Sequence, residues 1–525
     1  MTTPNTNRLQ LLLNNRKQAL IKNGLKGIEK ESLRLSGTGF IAQTAHPHAL
    51  GAPLTHPHIT TDYSESLLEF ITPPFKKIDD TLTFLCNIHR YVYANLDNEF
   101  LLASSMPCGI RGDESIPIAH YGKSNIGQMK QIYRQGLGHR YGRTMQAIAG
   151  IHFNYSVPEN LWPVLHKLEN SSISLEEYQS SAYFDLIRNF QRQGWILLYL
   201  FGASPAICKN FFASRPELMA QFDEFDSGSL YHPYATSLRM SDIGYKSNNQ
   251  ANLDIDYNSL DGYVDSLSAA INTPDPEYAK FGIKVDGKYQ QLNSNTLQIE
   301  NEFYSTVRPK QIIKPCEKPT LALKRRGVRY VEIRSLDLNP FKITGVCARE
   351  SRFIEALLLS CLLHKSPEST HSDSLINNKN QLTVALNGRQ PNVELTRNNQ
   401  AILLQDWANE ILDNMRTICT ILDEGETDDL YTQALDYQRT VIADSSLTPS
   451  ARILETMQKS NIPYARFADN ISQEHTKAFA KKSLSPKKTE FFKKLAEESH
   501  QKQADIETND SLSFDDFLTK YFSQV

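Results

Sequence analysis

Apolar and polar residues alternate at every second position in three short stretches, and a period of two predicts strands with one apolar and one polar side. In residues 27–35 (GIEKESLRL), Glu29 and Glu31 project to the same side. In residues 150–157, His152, Asn154 and Ser156 face one way, while Ile151, Phe153, Tyr155 and Val157 face the other. In residues 328–338, Glu332 and Arg334 share a side opposite Val331 and Ile333. A helical period runs through residues 176–205 and ends at the breaker Phe201-Gly202-Ala203-Ser204-Pro205. Residues 350–364 (ESRFIEALLLSCLLH) form a strongly apolar helix, and from about residue 400 the pattern is helical throughout. An opening helix is expected in residues 1–26, alternating strand and helix pieces in 27–160, and a strand-rich stretch in 285–341. Residues 365–380 are polar and are expected to be an exposed loop.

Residues 59–74 (ITTDYSESLLEFITPP) suggest an amphipathic helix. Thr61 or Asp62 suits its N-cap, and the prolines at 73 and 74 end it. Asp62, Glu65 and Glu69 then share one stripe, with Tyr63, Leu67, Phe70 and Ile71 largely opposite. Residues 298–304 (QIENEFY) repeat the paired-carboxylate alternation at Glu300 and Glu302, and Arg308 and Lys310 follow.

Composition narrows the function classes. The chain has 525 residues, 40% of them hydrophobic, enough for a large core. Its formal net charge of −3 lacks the basic excess of a nucleic-acid binder. The first residues lack a signal-peptide pattern, and the longest apolar stretch, 195–207, is interrupted by Gly202, Ser204 and Pro205. A bilayer span needs about 20 apolar residues, so that stretch is expected to be core and no membrane partner is expected. Seven cysteines, with no CxxC pair, fit a reducing, cytoplasmic setting rather than a disulfide framework.

Each acidic pattern has two readings. Adjacent carboxylates on one strand side are either a solvated edge or a pair held by a hard cation such as Mg²⁺. The Asp62 stripe is either the wet side of a helix or a ligand set. Glu332 beside Arg334 is either a cross-strand ion pair or a place where metal and phosphate meet. If the faces converge, they form an oxygen-rich cavity for two or three divalent cations and a nucleotide's phosphates. Ready-made nucleotide modules are missing. Gly122-Lys123-Ser124 looks like the end of a P-loop, but the glycine required five residues earlier is absent. There is no HExxH, GxSxG or post-strand GxGxxG motif.

With these segments in hand, the chain resembles the proteobacterial type of glutamate–cysteine ligase (γ-glutamylcysteine synthetase). The matching stretches are GIEKESLRL, ALGAPLTHPHITTDYSESLLEFITP, SSMPC, GIHFNYS, YLFGASPAIC, YATSLRMSDIGY, LNSNTLQIENEFYSTVRPK and YVEIRSLDLNPF. They run in order over residues 20 to 350, with weaker similarity to about 450. The resemblance implies an α+β fold akin to glutamine synthetase: a curved, largely antiparallel sheet forming a funnel-shaped active site, with helices outside. It implies one catalytic domain over 1–455; beyond about 455 the family pattern fades, and the Lys- and Glu-rich residues read as a charged helical or partly flexible tail over 456–525. It implies metal ligands at Glu29, Glu31, Asp62, Glu69, His152 and Glu332, with Glu65 a less secure member. Arg334 and Lys310 would meet the nucleotide phosphates. Tyr63, Tyr133, Leu137, Gln146, Arg239, Tyr245 and Tyr304 would bind substrate, with Arg239 taking an α-carboxylate and Arg334 and Arg239 assisting catalysis. The implied reaction joins the γ-carboxylate of glutamate to the amine of cysteine through γ-glutamyl phosphate. It uses ATP and two or three Mg²⁺ ions, with Mn²⁺ able to substitute, in a monomer.

Overall fold

The alternation at residues 27–35 lies within the longest strand of the sheet that organises the fold. A computed structural model describes residues 7–244, 250 and 253–524. Its seven-stranded sheet contains β1 (Leu25–Ser36), β2 (Ile59–Thr61), β3 (Leu67–Ile71), β4 (Glu99–Leu101), β5 (Ile151–Ser156), β6 (Val307–Lys310) and β7 (Tyr330–Leu336). The order is β6-β7-β5-β1-β3-β2, every pairing is antiparallel, and β4 continues along the last residues of β1.

Register carries each strand's alternation across the sheet. Glu31 sits opposite Glu69, Glu29 opposite His152, and Glu332 opposite both Asn154 and Arg308. Period two within strands plus this register gathers the polar positions on one side. The other side presents Ile28, Phe70, Phe153, Val331 and Ile333, all fully buried. Helices α1 (Ile78–Tyr93) and α3 (Leu175–Gln193) pack on it, and the apolar α4 (Ala348–Leu363) packs against both of them. Two lysines also point to this side. Lys26 pairs with Glu355 at 2.7 Å. Lys30 reaches Ser32 at 2.5 Å, and burial pushes its ammonium down to about 7.

Residues 59–74 do not form the expected helix. They form the β2–β3 hairpin, with Asp62 and Glu65 in the connection. The stripe that fits a 3.6-residue period also fits a hairpin, and pairing of β3 with the long β1 decides the outcome. Residues 298–304 are likewise not a strand, because Glu300–Glu302 is one 3-10 turn. In the expected 365–380 loop a helix begins at His371, capped by Thr370 and Asp373 in a reciprocal box. The opening segment is one short helix, Arg8–Asn14, and a 3-10 turn, because β1 already starts at Leu25.

Helix α2 (Asn125–Tyr141) lies between α1 and α3 in the chain, and the C-terminal residues add α5 (Pro486–Asn509) and α6 (Phe514–Phe522). Phe492, Ala496 and Ser499 of α5 are buried. The Ser499 hydroxyl accepts from the Ala52 N–H at 2.9 Å. Leu518 and Tyr521 of α6 pack with Met129 of α2 and Leu292. Among the described residues no helix is long and apolar enough to cross a membrane.

His56 lies at the seam between the sheet and α5. Its Nδ1 accepts from the backbone N–H of His58 at 3.1 Å and of Ile59 at 2.8 Å, so the ring is neutral. Burial, and then the nearby His58, His500 and Lys502 charges, push its pKa down to about 3. In the unfolded chain the ring protonates near 6.5. The unfolded state therefore holds more protons between those values, and stability falls as pH drops from about 6.5 toward 3. The slope from this one group is at most about 1.4 kcal/mol per pH unit. His56→Asn keeps an acceptor at the Nδ1 position and removes the titration. Thermal unfolding followed from pH 7 to pH 4.5 is expected to fall less steeply for that variant than for wild type; parallel curves would show that His56 is not a source of the acid lability.

Candidate active site

The polar side of the sheet floors a cavity of about 690 Å³. Glu29 and Glu31 of β1, Glu69 of β3, His152 of β5, Glu332 and Arg334 of β7, and Lys310 of β6 all line it, and Asp62 enters from the β2–β3 connection. His152 is the hub. Its Nδ1 is 3.0 Å from Glu29 and 3.9 Å from Glu332, and its Nε2 is 3.6 Å from Glu31. Asn154 donates to the other Glu29 oxygen at 2.9 Å. Glu332 meets Lys310 at 3.3 Å and Arg334 at 3.2 Å.

These like charges are unequally compensated. Burial and Glu332 push the Glu29 carboxyl up, but the His152 hydrogen bond and charge and Lys310 hold it below its ordinary value. Glu332, although buried, is held well below by Lys310, Arg334 and His152. Burial raises Glu31 despite His152, and Asp62 raises it further. Glu69 lies well above the ordinary range, through burial and then the repulsion of Glu29, Asp62 and Glu31. One half of the cluster is thus balanced by nearby protein cations, whereas at Glu31 and Glu69 burial and like charge outweigh the pull of His152, Arg239 and Arg334.

The donor set fits a hard divalent cation. Ligand atoms of Glu29, His152 and Glu332 all lie within 4.8 Å of one another. Among the described residues, the buried His152 Nε2 has no hydrogen-bond partner. Carboxylate oxygens with a single imidazole suit Mg²⁺ or Mn²⁺ better than a thiophilic metal.

The second half of the cavity is built on α2. Lys130, Tyr133, Arg134 and Leu137 recur at helical spacing and face inward. Arg134 donates to the Asp62 carbonyl, and its guanidinium lies 4.7 Å from the Tyr121 ring centroid. Burial, and then Arg134, push the Lys130 ammonium down to about 8. Sequence reading picked Tyr133 and Leu137 and missed Lys130 and Arg134, although the 130/134/137 spacing on one helix was a usable signal. Tyr63, Gln146, Arg239 and Tyr304 line the same space. Gln146 donates to the Tyr304 hydroxyl at 2.9 Å. The buried Arg239 guanidinium donates to the Arg334 carbonyl at 2.9 Å and lies 3.9 Å from Asp337. Glu65 is not brought to the cavity, for its carboxylate accepts the backbone N–H groups of His46 and His120, both at 2.8 Å. Tyr245 lies outside the described residues. The C-terminal helices contribute Ile506 and Tyr521 to the rim, which sequence reading had no means of placing there.

Comparison with known proteins agrees on the family. The glutamate–cysteine ligase family model matches residues 9–384. A glutamate–cysteine ligase of Pseudomonas putida is 48% identical over 506 residues, covering 96% of each chain. One from Alcanivorax borkumensis is 47% identical over 521 residues, covering 98% of each. A solved glutamate–cysteine ligase from Francisella tularensis in complex with AMP superposes with a TM-score of 0.90 at 35% identity, covering 95% of this chain and 98% of that one. A bifunctional glutathione synthetase from Pasteurella multocida matches with a TM-score of 0.71 at 25% identity, over 89% of this chain and 54% of that one.

Tyr304 depends on a buried polar network. Arg140 pairs with Glu302 at 2.9 Å, both side chains fully buried, and also donates to Gln291 and Asn293. Gln250 donates to the Glu302 carbonyl and accepts from the Tyr304 N–H at 2.9 Å. Arg140→Met leaves Glu302 buried without its cation, a change that typically costs about 3–5 kcal/mol. Denaturant unfolding of that variant should show a loss of this size, with a partial recovery in the Arg140→Met/Glu302→Gln double variant. A loss under 1 kcal/mol would mean that the pair is dispensable.

Proposed function

The chain belongs to the glutamate–cysteine ligase family, and from that premise we propose how its acidic cavity carries out the family's reaction. The reaction is the ATP-dependent joining of the L-glutamate γ-carboxylate to the amine of L-cysteine, giving γ-glutamylcysteine, the first step of glutathione synthesis. The observation that carries the site assignment is the meeting of Glu29, His152 and Glu332 within 4.8 Å, next to Arg334 and Lys310.

A free carboxylate does not acylate an amine near neutral pH without a better leaving group on its carbon. In this reading a γ-carboxylate oxygen of glutamate takes the terminal phosphoryl group of ATP, and ADP leaves. The neutral amine of cysteine then attacks the acyl carbon, and phosphate leaves with the C–O bonding electrons. Arg334 presents fixed donors to the transferring phosphoryl oxygens, and Lys310 holds a phosphate as a point charge. When held by Glu29, Glu31, Asp62, Glu69, His152 and Glu332, two or three Mg²⁺ ions, or Mn²⁺ in their place, would offset the phosphate charge. Tyr63, Tyr133, Leu137, Gln146 and Tyr304 form a small, partly apolar slot suited to a CH₂–SH group. Arg239 in this reading takes the α-carboxylate of a substrate, and resemblance to the family adds Tyr245 as a further substrate-binding residue. In this reading the catalytic unit covers residues 1–455 with 456–525 as its tail, and the protein works as a cytoplasmic monomer.

Purified protein given ATP, Mg²⁺ and glutamate is expected to release ADP in a cysteine-dependent manner, and mass spectrometry should find the γ-linked dipeptide. ADP without that dipeptide would move the acceptor to another amine. Glu29→Gln and Arg334→Ala are each expected to lower kcat by about 10²–10³-fold, as removal of one transition-state contact does elsewhere, with unfolding temperatures close to wild type. Wild-type turnover in either variant would sink the site assignment.

A further inference from the structure

The QIENEFY segment carries a carboxylate that the reaction as described does not use. Glu300 is 5% exposed. Its Oε1 accepts from the Thr320 hydroxyl at 2.6 Å. Its Oε2 is buried and, among the described residues, has no hydrogen-bond partner. An acceptor buried in this way is costly unless something donates to it.

Glu300 lines a recess of about 40 Å³, together with Pro309, Ile313 and Pro319. The recess and the main cavity share Asn301, Arg308, Lys310, Ile313 and Pro319 as lining residues. It has room for a water or one exocyclic group, not for a ring. The adjoining rim of the main cavity is largely apolar, with Ile299, Ile313, Pro315, Pro319, Ile506 and Tyr521, and its one acidic member, Glu317, is paired with Arg326 at 2.6 Å. This outer wall is held together by the chain terminus. Lys318 donates to the carbonyls of Phe522 and Gln524 at 2.9 and 3.1 Å, and Gln524 donates to the Cys316 carbonyl at 2.8 Å.

Resting on the nucleotide reading above, we infer that this rim is the base site and that Glu300 Oε2 accepts a hydrogen bond from the exocyclic 6-amino group of adenine. Lys310 lies at the junction, lining both spaces with its ammonium 3.3 Å from Glu332. Phosphates held at Arg334 and Lys310, beside Glu332, direct the rest of the nucleotide outward past β6. Apolar side chains there cover the flat faces of a purine, and the recess receives its amino edge. A carboxylate cannot donate, so a 6-oxo purine would bring two acceptors together. Glu300 thus becomes the residue that selects adenine nucleotides over hypoxanthine and guanine nucleotides. The donor comes from the substrate, and a site built to receive a donor rejects analogues that lack it.

The test is nucleotide binding by calorimetry, with the full-length protein and Mg²⁺, using ADP, inosine diphosphate and purine riboside diphosphate. On wild type, ADP is expected to bind about 10- to 100-fold more tightly than either analogue, the range for a hydrogen bond to a charged group. Glu300→Gln should weaken ADP by about that factor and bring the ADP to inosine diphosphate ratio near or below one. A wild-type protein that binds purine riboside diphosphate as tightly as ADP would overturn the inference, and this arm needs no variant to fold. A Glu300→Gln protein with an unchanged ratio would overturn it too, as would one whose only change is the KM for glutamate or cysteine. Failure to bind any nucleotide would instead bring down the nucleotide reading on which it rests.

Discussion

Mutual repulsion among buried carboxylates is the constraint around which this structure is arranged. Glu29, Glu31, Glu69 and Glu332 are brought to one side of one sheet by strand alternation and register, and a low-dielectric interior magnifies their repulsion. Two protein cations, Lys310 and Arg334, and the imidazole of His152 balance the Glu29–Glu332 half. At Glu31 and Glu69 burial and like charge outweigh His152, Arg239 and Arg334 and raise both carboxyls. A folded chain can hold such a face only if the rest of the sheet is secure. The opposite side supplies that security through the fully buried residues under α1, α3 and α4.

The same asymmetry divides the labour of the cavity. The sheet is rigid, paired on both sides of β1 and β5, and it carries the charged groups whose relative positions matter most. The walls come from α2, the turn at 300–302, the 311–319 connection and the C-terminal helices. They carry tyrosines, Leu137 and the apolar rim, a lining chemically unlike the charged floor. Tyr304 shows how a wall residue is fixed: its backbone N–H is anchored through Gln250 to a network around the buried Arg140–Glu302 pair, and its hydroxyl is held by Gln146.

Residues 59–74 show how a sequence can indicate the right residues on the wrong element. Asp62 and Glu69 reach the cavity as a helix stripe would require, yet they do so from a hairpin, because β3 finds its partner in β1. Glu65 separates the two geometries. On a helix it would join the stripe; in the hairpin its carboxylate turns away to two backbone N–H groups. Glu300 and Glu302 look like another strand pair in sequence, but one 3-10 turn sends Glu302 to Arg140 and Glu300 toward Thr320.

What the sequence determined by itself is local. Period-two alternation placed Glu29 with Glu31, His152 with Asn154, and Glu332 with Arg334, because a strand's geometry leaves no other choice. Long ordered motifs identified the family, since matching residues at many positions carries more information than any one pattern. Tertiary structure decided what depends on pairing across distance: the hairpin at 59–71, the register that sets Glu31 against Glu69, and the inward face of α2 with Lys130 and Arg134. It also decided that Ile506 and Tyr521, some 200 residues beyond β6, close the cavity rim. Side-chain periodicity fixes direction relative to an element's own axis, whereas the partner of that face is chosen by the packing of the whole chain.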